Sequence, residues 1–209
     1  MKRIAVIGGL GRMGRRYAAI LRRNFPFSVV QLDIKDPTMP FPESIDACIV
    51  ATPTASHYSD IELVCKSWPG VPLLCEKPVT KYWKQLEYTQ AMCEEFDVDF
   101  RMVCNWSFVV SDAVRLLPKS NSVRYSNWIS GEDGLFWDAI QLIYLDRSMP
   151  ELSDKGDRFE CQINNLSVSL GDIDLSYIRM IKQWIKDPTS LWGIAEAQEA
   201  TYKVEGLIT

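Results

Sequence analysis

The first half of the chain alternates short apolar runs with longer stretches of helical periodicity. The first run, Ile4–Ile7, is apolar at every position, as expected for a strand buried on both faces of a parallel sheet. Strands that alternate with helices in this way predict βαβ units and a parallel sheet. The predicted strands span residues 4–7, 28–33, 45–51, 71–75 and 99–104, and the predicted helices span residues 56–68 and 81–96, after a first helix that ends near residue 23.

The connection between the second and third predicted strands departs from this alternation. Residues 33–46 contain three prolines and leave no room for a helix plus a strand, so we predict a loop in place of the usual crossover. After Cys104 the alternation ends, and a mixture of helices and strands is predicted. Helices are predicted over residues 111–117, 134–146, 174–186 and 190–207, and strands over residues 122–129 and within residues 159–170.

A glycine-rich turn links the first predicted strand to the first predicted helix. Residues 9–14 read G-L-G-R-M-G, which matches G-x-G-x-x-G in the strand-to-helix context that the motif requires. The first glycine permits the tight turn, the second lets the backbone approach a pyrophosphate, and the third lets helix and strand pack closely. The free N–H groups at the helix start favour phosphates. The predicted dinucleotide contacts here are Gly9, Gly11, Arg12, Met13 and Gly14.

Asp33 lies at the end of the second predicted strand, 19 residues after Gly14. An acid at this place in a dinucleotide-binding unit accepts hydrogen bonds from the ribose hydroxyls. Its carboxylate repels a 2′-phosphate, so NAD is favoured over NADP, although the nearby Lys35 weakens this preference. The alternative interpretation of Asp33 is an ordinary surface aspartate.

Two polar loops follow later strands. Residues 52–57 read T-P-T-A-S-H after the third strand, and residues 75–78 read C-E-K-P after the fourth. Both stand at the carboxyl ends of parallel strands, where open α/β sheets bind their ligands. There the ammonium of Lys77 is placed to meet a substrate oxygen or the nicotinamide ribose. In isolation, Lys77 is equally consistent with a surface lysine, and His57 with an ordinary residue at a helix start.

In this order, the glycine turn, Asp33, the TPxxxH segment and the EKP tripeptide resemble the Gfo/Idh/MocA family of NAD(P)-dependent oxidoreductases, which includes glucose–fructose oxidoreductase and inositol dehydrogenase. The resemblance covers residues 1 to about 110. It implies an α/β fold with a Rossmann-type parallel sheet in residues 1–110. It also implies a reduced α+β domain in residues 111–209 for contacts with substrate and a second copy, which leaves a homo-oligomer open.

The resemblance also assigns roles to the two polar loops. Thr52, Pro53 and His57 would line the dinucleotide. Glu76 and Lys77 would lie beside the nicotinamide, and Lys77 would also touch the substrate.

The chain departs from the family pattern at two motifs. The family's Asn-x-Arg segment corresponds to Asn105-Trp106-Ser107, which has no arginine. The family's aspartate corresponds to Asp138, but its histidine four residues later is replaced by Leu142, beside Gln141. Oxidation of an alcohol needs a group that takes the hydroxyl proton. Lys77 and Asp138 are the remaining candidates for that catalytic role.

Two function hypotheses follow. The first is an NAD-dependent oxidoreductase that transfers hydride between nicotinamide and a sugar, cyclitol or nucleotide sugar. Reduction of a C=N or C=C bond, which needs no hydroxyl base, falls within the same class. The second is a catalytically weak or inactive dinucleotide-binding module that acts as a sensor or assembly partner. The missing histidine, the missing arginine and the shortened second domain motivate this alternative.

Composition argues against several other classes of protein, namely nucleic-acid-binding, metal-binding and membrane-spanning proteins. The net charge of −4 argues against a nucleic-acid surface, which needs a basic face. Six cysteines without a CxxC pair, and a single histidine, predict buried thiols in a reducing compartment and no metal site. No apolar run reaches the length of a membrane span and none reads as a signal peptide. We therefore expect a soluble, cytoplasmic protein with a small-molecule substrate.

Overall fold

A computed structural model gives the fold of the chain. It describes residues 1–33, 36, 40–80, 82–108, 123–126, 151–152, 160–163, 166–167 and 173–208. The strands are β1 (Arg3–Ile7), β2 (Ser28–Leu32), β3 (Ala47–Val50), β4 (Leu73–Cys75), β5 (Phe100–Met102), β6 (Val123–Ser126), β7 (Glu151–Leu152), β8 (Glu160–Ile163) and β9 (Leu166–Ser167). The α-helices are α1 (Arg12–Asn24), α2 (His57–Ser67), α3 (Trp83–Glu95), α4 (Ile173–Lys186) and α5 (Ile194–Ile208).

Strands β1 to β5 form one parallel sheet in the order β2-β1-β3-β4-β5. The predicted Rossmann-type α/β fold is confirmed. All four residues of β3 are buried, because the sheet is covered on both faces. Between β2 and β3 no helix occurs in the described residues, in line with the predicted loop.

Two apolar cores lie on opposite faces of this sheet. One joins side chains such as Ala5 and Val50 to helices α2, α3 and α5. The other joins side chains such as Ile4 and Ile49 to helices α1 and α4. The pattern follows from strand geometry, since successive residues of a strand point to opposite faces. Helices α4 and α5, which the predicted boundary assigned to the second domain, therefore bury their apolar stripes against the first sheet.

The second helix of this closing pair begins later than predicted. The prediction placed its start at residue 190, but Pro188–Ser190 forms a short 3₁₀ helix and α5 begins at Ile194. The Glu196 carboxylate accepts a hydrogen bond from the Gly193 backbone N–H at 3.1 Å. This contact satisfies a donor that the helix itself leaves free, which fixes the helix start at Ile194.

A second sheet has the order β7-β6-β8-β9, with β6 antiparallel to β8 and β8 antiparallel to β9. The predicted strands at 122–129 and within 159–170 are found here in shorter form. The predicted helices 111–117 and 134–146 lie outside the described residues, and the domain boundary at residue 110 stays a prediction. No helix that the structure describes combines the length and apolar character needed to cross a membrane.

Candidate functional site

The glycine turn lies at the carboxyl end of β1, between the ends of its neighbours β2 and β3. Gly8 has a φ of +73°, a conformation that L side chains rarely adopt. The Gly11 N–H donates to the Gly8 carbonyl at 2.9 Å, which closes the turn. The Gly9 N–H donates to the Leu32 carbonyl at 3.0 Å, which fastens the turn to the end of β2. The sequence motif starts at Gly9 and thus missed Gly8, whose positive φ favours glycine.

Close packing explains the glycines at both ends of the motif. A Cβ at Gly14 would lie 2.1 Å from the Gly8 carbonyl oxygen, and one at Gly9 would lie 2.6 Å from the Gln31 Cβ. At Gly11 the nearest atom would be the Gly8 oxygen at 3.2 Å. The third glycine thus brings the helix onto the strand, and the middle one leaves the backbone accessible, as the motif predicts.

The start of α1 presents N–H groups without a side-chain acceptor. Gly11 occupies the N-cap position and its missing side chain makes no capping bond, and the first turn contains no acidic residue. Exposed Arg12 and half-buried Met13 flank this start. Free N–H groups and the positive end of the helix dipole are the elements that hold a phosphate. The local geometry therefore fits the pyrophosphate of a dinucleotide.

Asp33 is half-buried and directly follows β2. Its backbone carbonyl accepts a hydrogen bond from the Asp36 N–H at 2.9 Å. Because the preceding residue, Leu32, is bonded to Gly9, Asp33 and the glycine turn share one edge of the sheet. The role of its carboxylate as a ribose acceptor stays a prediction.

His57 fastens the two polar loops to each other. Its ring is buried, with 1% of its surface exposed. Nε2 lies 2.8 Å from the Thr52 carbonyl oxygen in the loop after β3. Nδ1 lies 2.9 Å from the Pro78 oxygen and 3.2 Å from the Val79 oxygen in the loop after β4. Both ring nitrogens thus face protein carbonyls, so His57 supports these loops, and its predicted direct contact with the dinucleotide stays a prediction.

A buried acid supports the loop after β3. The Thr52 hydroxyl donates to the carboxylate of Asp60, which lies one turn into α2 and is 3% exposed. Burial raises the pKa of Asp60, and the hydrogen bond from the Thr52 hydroxyl and the electrostatic influence of nearby His57 partly offset this rise. Pro53 remains exposed at the rim of the same loop. Nothing in the sequence singled out Asp60 beyond its place in a predicted helix.

Glu76, the acid of the EKP tripeptide, is buried at the carboxyl end of β4 with 6% of its surface exposed. Its Oε1 accepts a hydrogen bond from the Tyr17 hydroxyl at 2.7 Å, and its Oε2 accepts one from the Lys77 N–H at 3.1 Å. The Tyr177 hydroxyl of α4 also hydrogen-bonds to Glu76. One carboxylate thus joins three parts of the chain: helix α1, helix α4 and the loop after β4.

Both tyrosines of this cluster act as hydrogen-bond donors. Burial, followed by the charge of Glu76, raises the pKa of Tyr17 and that of Tyr177 well above the usual value for a phenol. Their rings meet edge to face at 5.3 Å between centroids. The Arg16 guanidinium lies 5.7 Å from the Tyr177 ring centroid and pairs with Asp174 at 3.1 Å. These contacts hold the start of α4 beside α1.

Asn105, the residue that matches the family's Asn-x-Arg segment, is also buried in this region. Its Nδ2 donates to the Ser176 hydroxyl oxygen at 3.1 Å. Arg179, one turn further along α4, donates to the Phe108 carbonyl at 3.2 Å. Asn105 therefore binds the segment after β5 to α4.

Lys77, the predicted catalytic residue, is half-buried in the loop after β4. It stands between buried Glu76 and Pro78, so the loop supports it from both sides. Asp138, its predicted partner, lies outside the described residues, as do Gln141 and Leu142. The pairing of Lys77 with Asp138 stays a prediction. In the part of the chain that the structure describes, no group of three or more His, Cys, Asp or Glu side chains is arranged to hold a metal ion.

The fold matches several solved dehydrogenases. One is the WlbA dehydrogenase from Thermus thermophilus in complex with NAD and UDP-GlcNAcA, with a TM-score of 0.69 and 15% identity over 100% of this chain and 95% of that chain. Another is UDP-N-acetylglucosamine 3-dehydrogenase GnnA from Acidithiobacillus ferrooxidans, with a TM-score of 0.74 and 14% identity over 100% of this chain and 99% of that chain. A third is a Gfo/Idh/MocA family oxidoreductase from Vibrio cholerae, with a TM-score of 0.68 and 14% identity over 99% of this chain and 97% of that chain. No family model matches the chain, and no curated protein matches it in sequence. The chain therefore has the fold of Gfo/Idh/MocA-type dehydrogenases.

Proposed function

We propose that this chain is an oxidoreductase of the Gfo/Idh/MocA type that binds NAD along the carboxyl edge of its parallel sheet. The observation that carries the proposal is the close-packed glycine turn of residues 8–14, the glycine cradle. A Cβ at Gly14 would lie 2.1 Å from the Gly8 oxygen, and the helix start beside it has no side-chain cap. Backbone this close, with free N–H groups, is the arrangement that holds a pyrophosphate.

In this proposal the dinucleotide runs along the edge from β2, past β1, to β3 and β4. With the pyrophosphate at the start of α1, the adenosine ribose reaches Asp33 on the β2 side. The nicotinamide end then extends to the opposite side, over the loops after β3 and β4 that His57 links. Thr52, Pro53, Glu76 and Lys77 belong to those loops. When bound, NAD supplies the hydride acceptor, or as NADH the hydride donor.

The residues of the chain supply the remaining chemistry. Lys77 is proposed to hold or release a proton at Nζ beside the reacting carbon, with Asp138 as its partner. Tyr17 and Tyr177 do not serve as the base, because their raised pKa values keep the phenols protonated. The comparison dehydrogenases include one in complex with NAD and UDP-GlcNAcA and one that acts on UDP-N-acetylglucosamine. A nucleotide sugar, sugar or cyclitol is therefore the proposed substrate, for a cytoplasmic enzyme.

A dinucleotide-binding module without turnover is the second candidate. The observation that favours it is Leu142 in place of the family's histidine. The two candidates share the cofactor site, and they differ in whether the protein oxidises a substrate.

Cofactor choice tests the assignment of Asp33. We expect the wild-type protein to bind NADH more tightly than NADPH, because the Asp33 carboxylate repels a 2′-phosphate. In Asp33→Ser, the ratio of the two dissociation constants should shift toward NADPH by about tenfold, equivalent to about 1.4 kcal/mol. Fluorescence titration of both reduced cofactors measures it.

Asp36→Ser is the matched control, since Asp36 is also an aspartate, lies three residues away and donates its backbone N–H to the Asp33 carbonyl. Its ratio should stay within about twofold of wild type, which is below 0.5 kcal/mol. Tighter binding of NADPH by the wild-type protein would contradict the role of Asp33.

A further inference from the structure

Glu76 carries a buried negative charge that no cation in the described residues neutralises by contact. Its hydrogen-bond donors are two phenol hydroxyls, from Tyr17 and Tyr177, and the Lys77 backbone N–H. All three are neutral groups. The ion pairs formed among the described residues involve other acids: Asp174, Glu62, Asp99 and Glu199. A carboxylate in this setting acts over a longer range than one on the surface, because little water screens it.

The cations nearest to this carboxylate lie at the rim of the site. Arg16 is 40% exposed in its side chain and pairs with Asp174, and exposed Arg12 stands at the start of α1. Lys77 adjoins Glu76 in sequence and is half-buried. Water weakens the fields of the two exposed guanidinium groups. Glu76, with 6% of its surface exposed, is thus more deeply buried than any of these three cations.

The location of this charge has a consequence for the cofactor, and this step rests on the proposed function. With the pyrophosphate at α1 and the adenosine ribose at Asp33, the nicotinamide end passes over the loop that Glu76 begins. The oxidised nicotinamide ring carries a positive charge, and the reduced ring is neutral. A buried carboxylate below that position attracts the first form and has no charge–charge interaction with the second.

We propose that Glu76 is a specificity-determining residue that sets the preference of the site between the two redox states of the cofactor, in favour of oxidised NAD⁺. The hydrogen bonds of Tyr17 and Tyr177 keep the carboxylate in place and stabilise its charge. The EKP acid therefore has a role separate from that of Lys77: it biases the cofactor toward the hydride-accepting form.

Isothermal titration of NAD⁺ and NADH tests this proposal on wild type and Glu76→Gln. The substitution keeps the size of the side chain and removes its charge. We expect the ratio of the NADH to the NAD⁺ dissociation constant to fall by about tenfold, mainly through weaker NAD⁺ binding. Glu62→Gln is the charge-matched control, because the Glu62 side chain is 40% exposed and pairs with Lys66 on the same helix. Its ratio should equal that of wild type.

The possible results distinguish a failure of the role of Glu76 from a failure of NAD binding itself. If Glu76→Gln binds both cofactors with the wild-type ratio, the role of Glu76 is overturned while NAD binding stands. If wild type binds neither cofactor, the proposed function fails and this inference fails with it. Circular dichroism checks that the variant is folded. If it is not, wild type decides alone: NAD⁺ should bind at least as tightly as NADH, and NADH binding about tenfold tighter would overturn the proposal.

Discussion

A Gly14→Ala variant is expected to lose much of its stability and its ability to bind NADH. The added Cβ would lie 2.1 Å from the Gly8 carbonyl oxygen and 2.6 Å from the Gly9 Cα, so α1 would have to move away from β1. Both neighbours are backbone atoms and neither can rotate away. Overpacking of a close-packed region costs about 1–3 kcal/mol and occasionally more, and we expect about 3 kcal/mol here. Urea denaturation measures the free energy of unfolding.

Gly193→Ala is the matched control for this substitution. A Cβ at Gly193 would meet the ends of two flexible side chains, at 3.4 Å from Glu196 Oε2 and 3.5 Å from Arg101 NH1. We expect its free energy of unfolding to change by less than about 1 kcal/mol. A Gly14→Ala variant as stable as Gly193→Ala, with NADH binding intact, would show that the helix does not need to approach the strand this closely.

A Lys77→Met variant is expected to lose turnover while it keeps the cofactor. Methionine preserves most of the side-chain length and removes the ammonium that we assign to proton transfer. Loss of a positioned acid or base typically lowers the rate by about 10²- to 10⁴-fold. NADH affinity should change far less, because the glycine cradle and Asp33 are untouched. The assay follows NADH formation with a panel of nucleotide sugars, sugars and cyclitols.

Lys66→Met is the control for this experiment. Lys66 lies near the last residue of α2, at the opposite end of the helix from His57, and its exposed ammonium pairs with Glu62. We expect wild-type turnover from it. If Lys77→Met turns over at the wild-type rate, Lys77 is not the proton-transferring residue. If NADH binds but none of the panel is oxidised by wild type, the result favours the module without turnover.

The parallel sheet could be predicted from the sequence because its signals are local. Ile4–Ile7 is apolar at every position, and the glycines that follow need no distant partner to be recognised. Strand ends were less accurate: β3 spans Ala47–Val50 where residues 45–51 were predicted. The apolar residues Ile45 and Ala51 lie just outside the residues of β3 that pair with β1, so the hydropathy pattern alone cannot mark the strand ends.

The polar cluster around Glu76 could not be predicted in the same way. Its hydroxyl donors come from segments 59 residues before and about 100 residues after Glu76 in the chain, and only the packed helices bring them together. The sequence pattern places Tyr17 in the apolar stripe of α1. A hydropathy pattern assigns one value to the whole tyrosine, so it does not reveal that the hydroxyl at the end of the ring needs a polar partner. The placement of α4 and α5 on the first sheet was missed because an amphipathic stripe does not identify the surface that covers it.

The position of the two polar loops could be predicted from the sequence, but the contacts between them could not. The loop sequences marked their position at the carboxyl end of the sheet. They did not reveal that the ring nitrogens of His57 face Thr52 and Pro78 carbonyls, which makes the two loops one unit. A histidine in a sequence motif is usually taken as a ligand contact or a proton donor. Here the buried ring supports the loops that would hold the nicotinamide end.

The most direct test of the central claim is a fluorescence titration of the wild-type protein with NADH. We expect saturable binding with a dissociation constant well below ~1 mM, which corresponds to more than about 4.1 kcal/mol of binding free energy. We also expect NAD⁺ to compete with NADH for the same site. No saturable signal with NADH at millimolar concentration, from protein that circular dichroism shows to be folded, would contradict the assignment of this edge as a dinucleotide site.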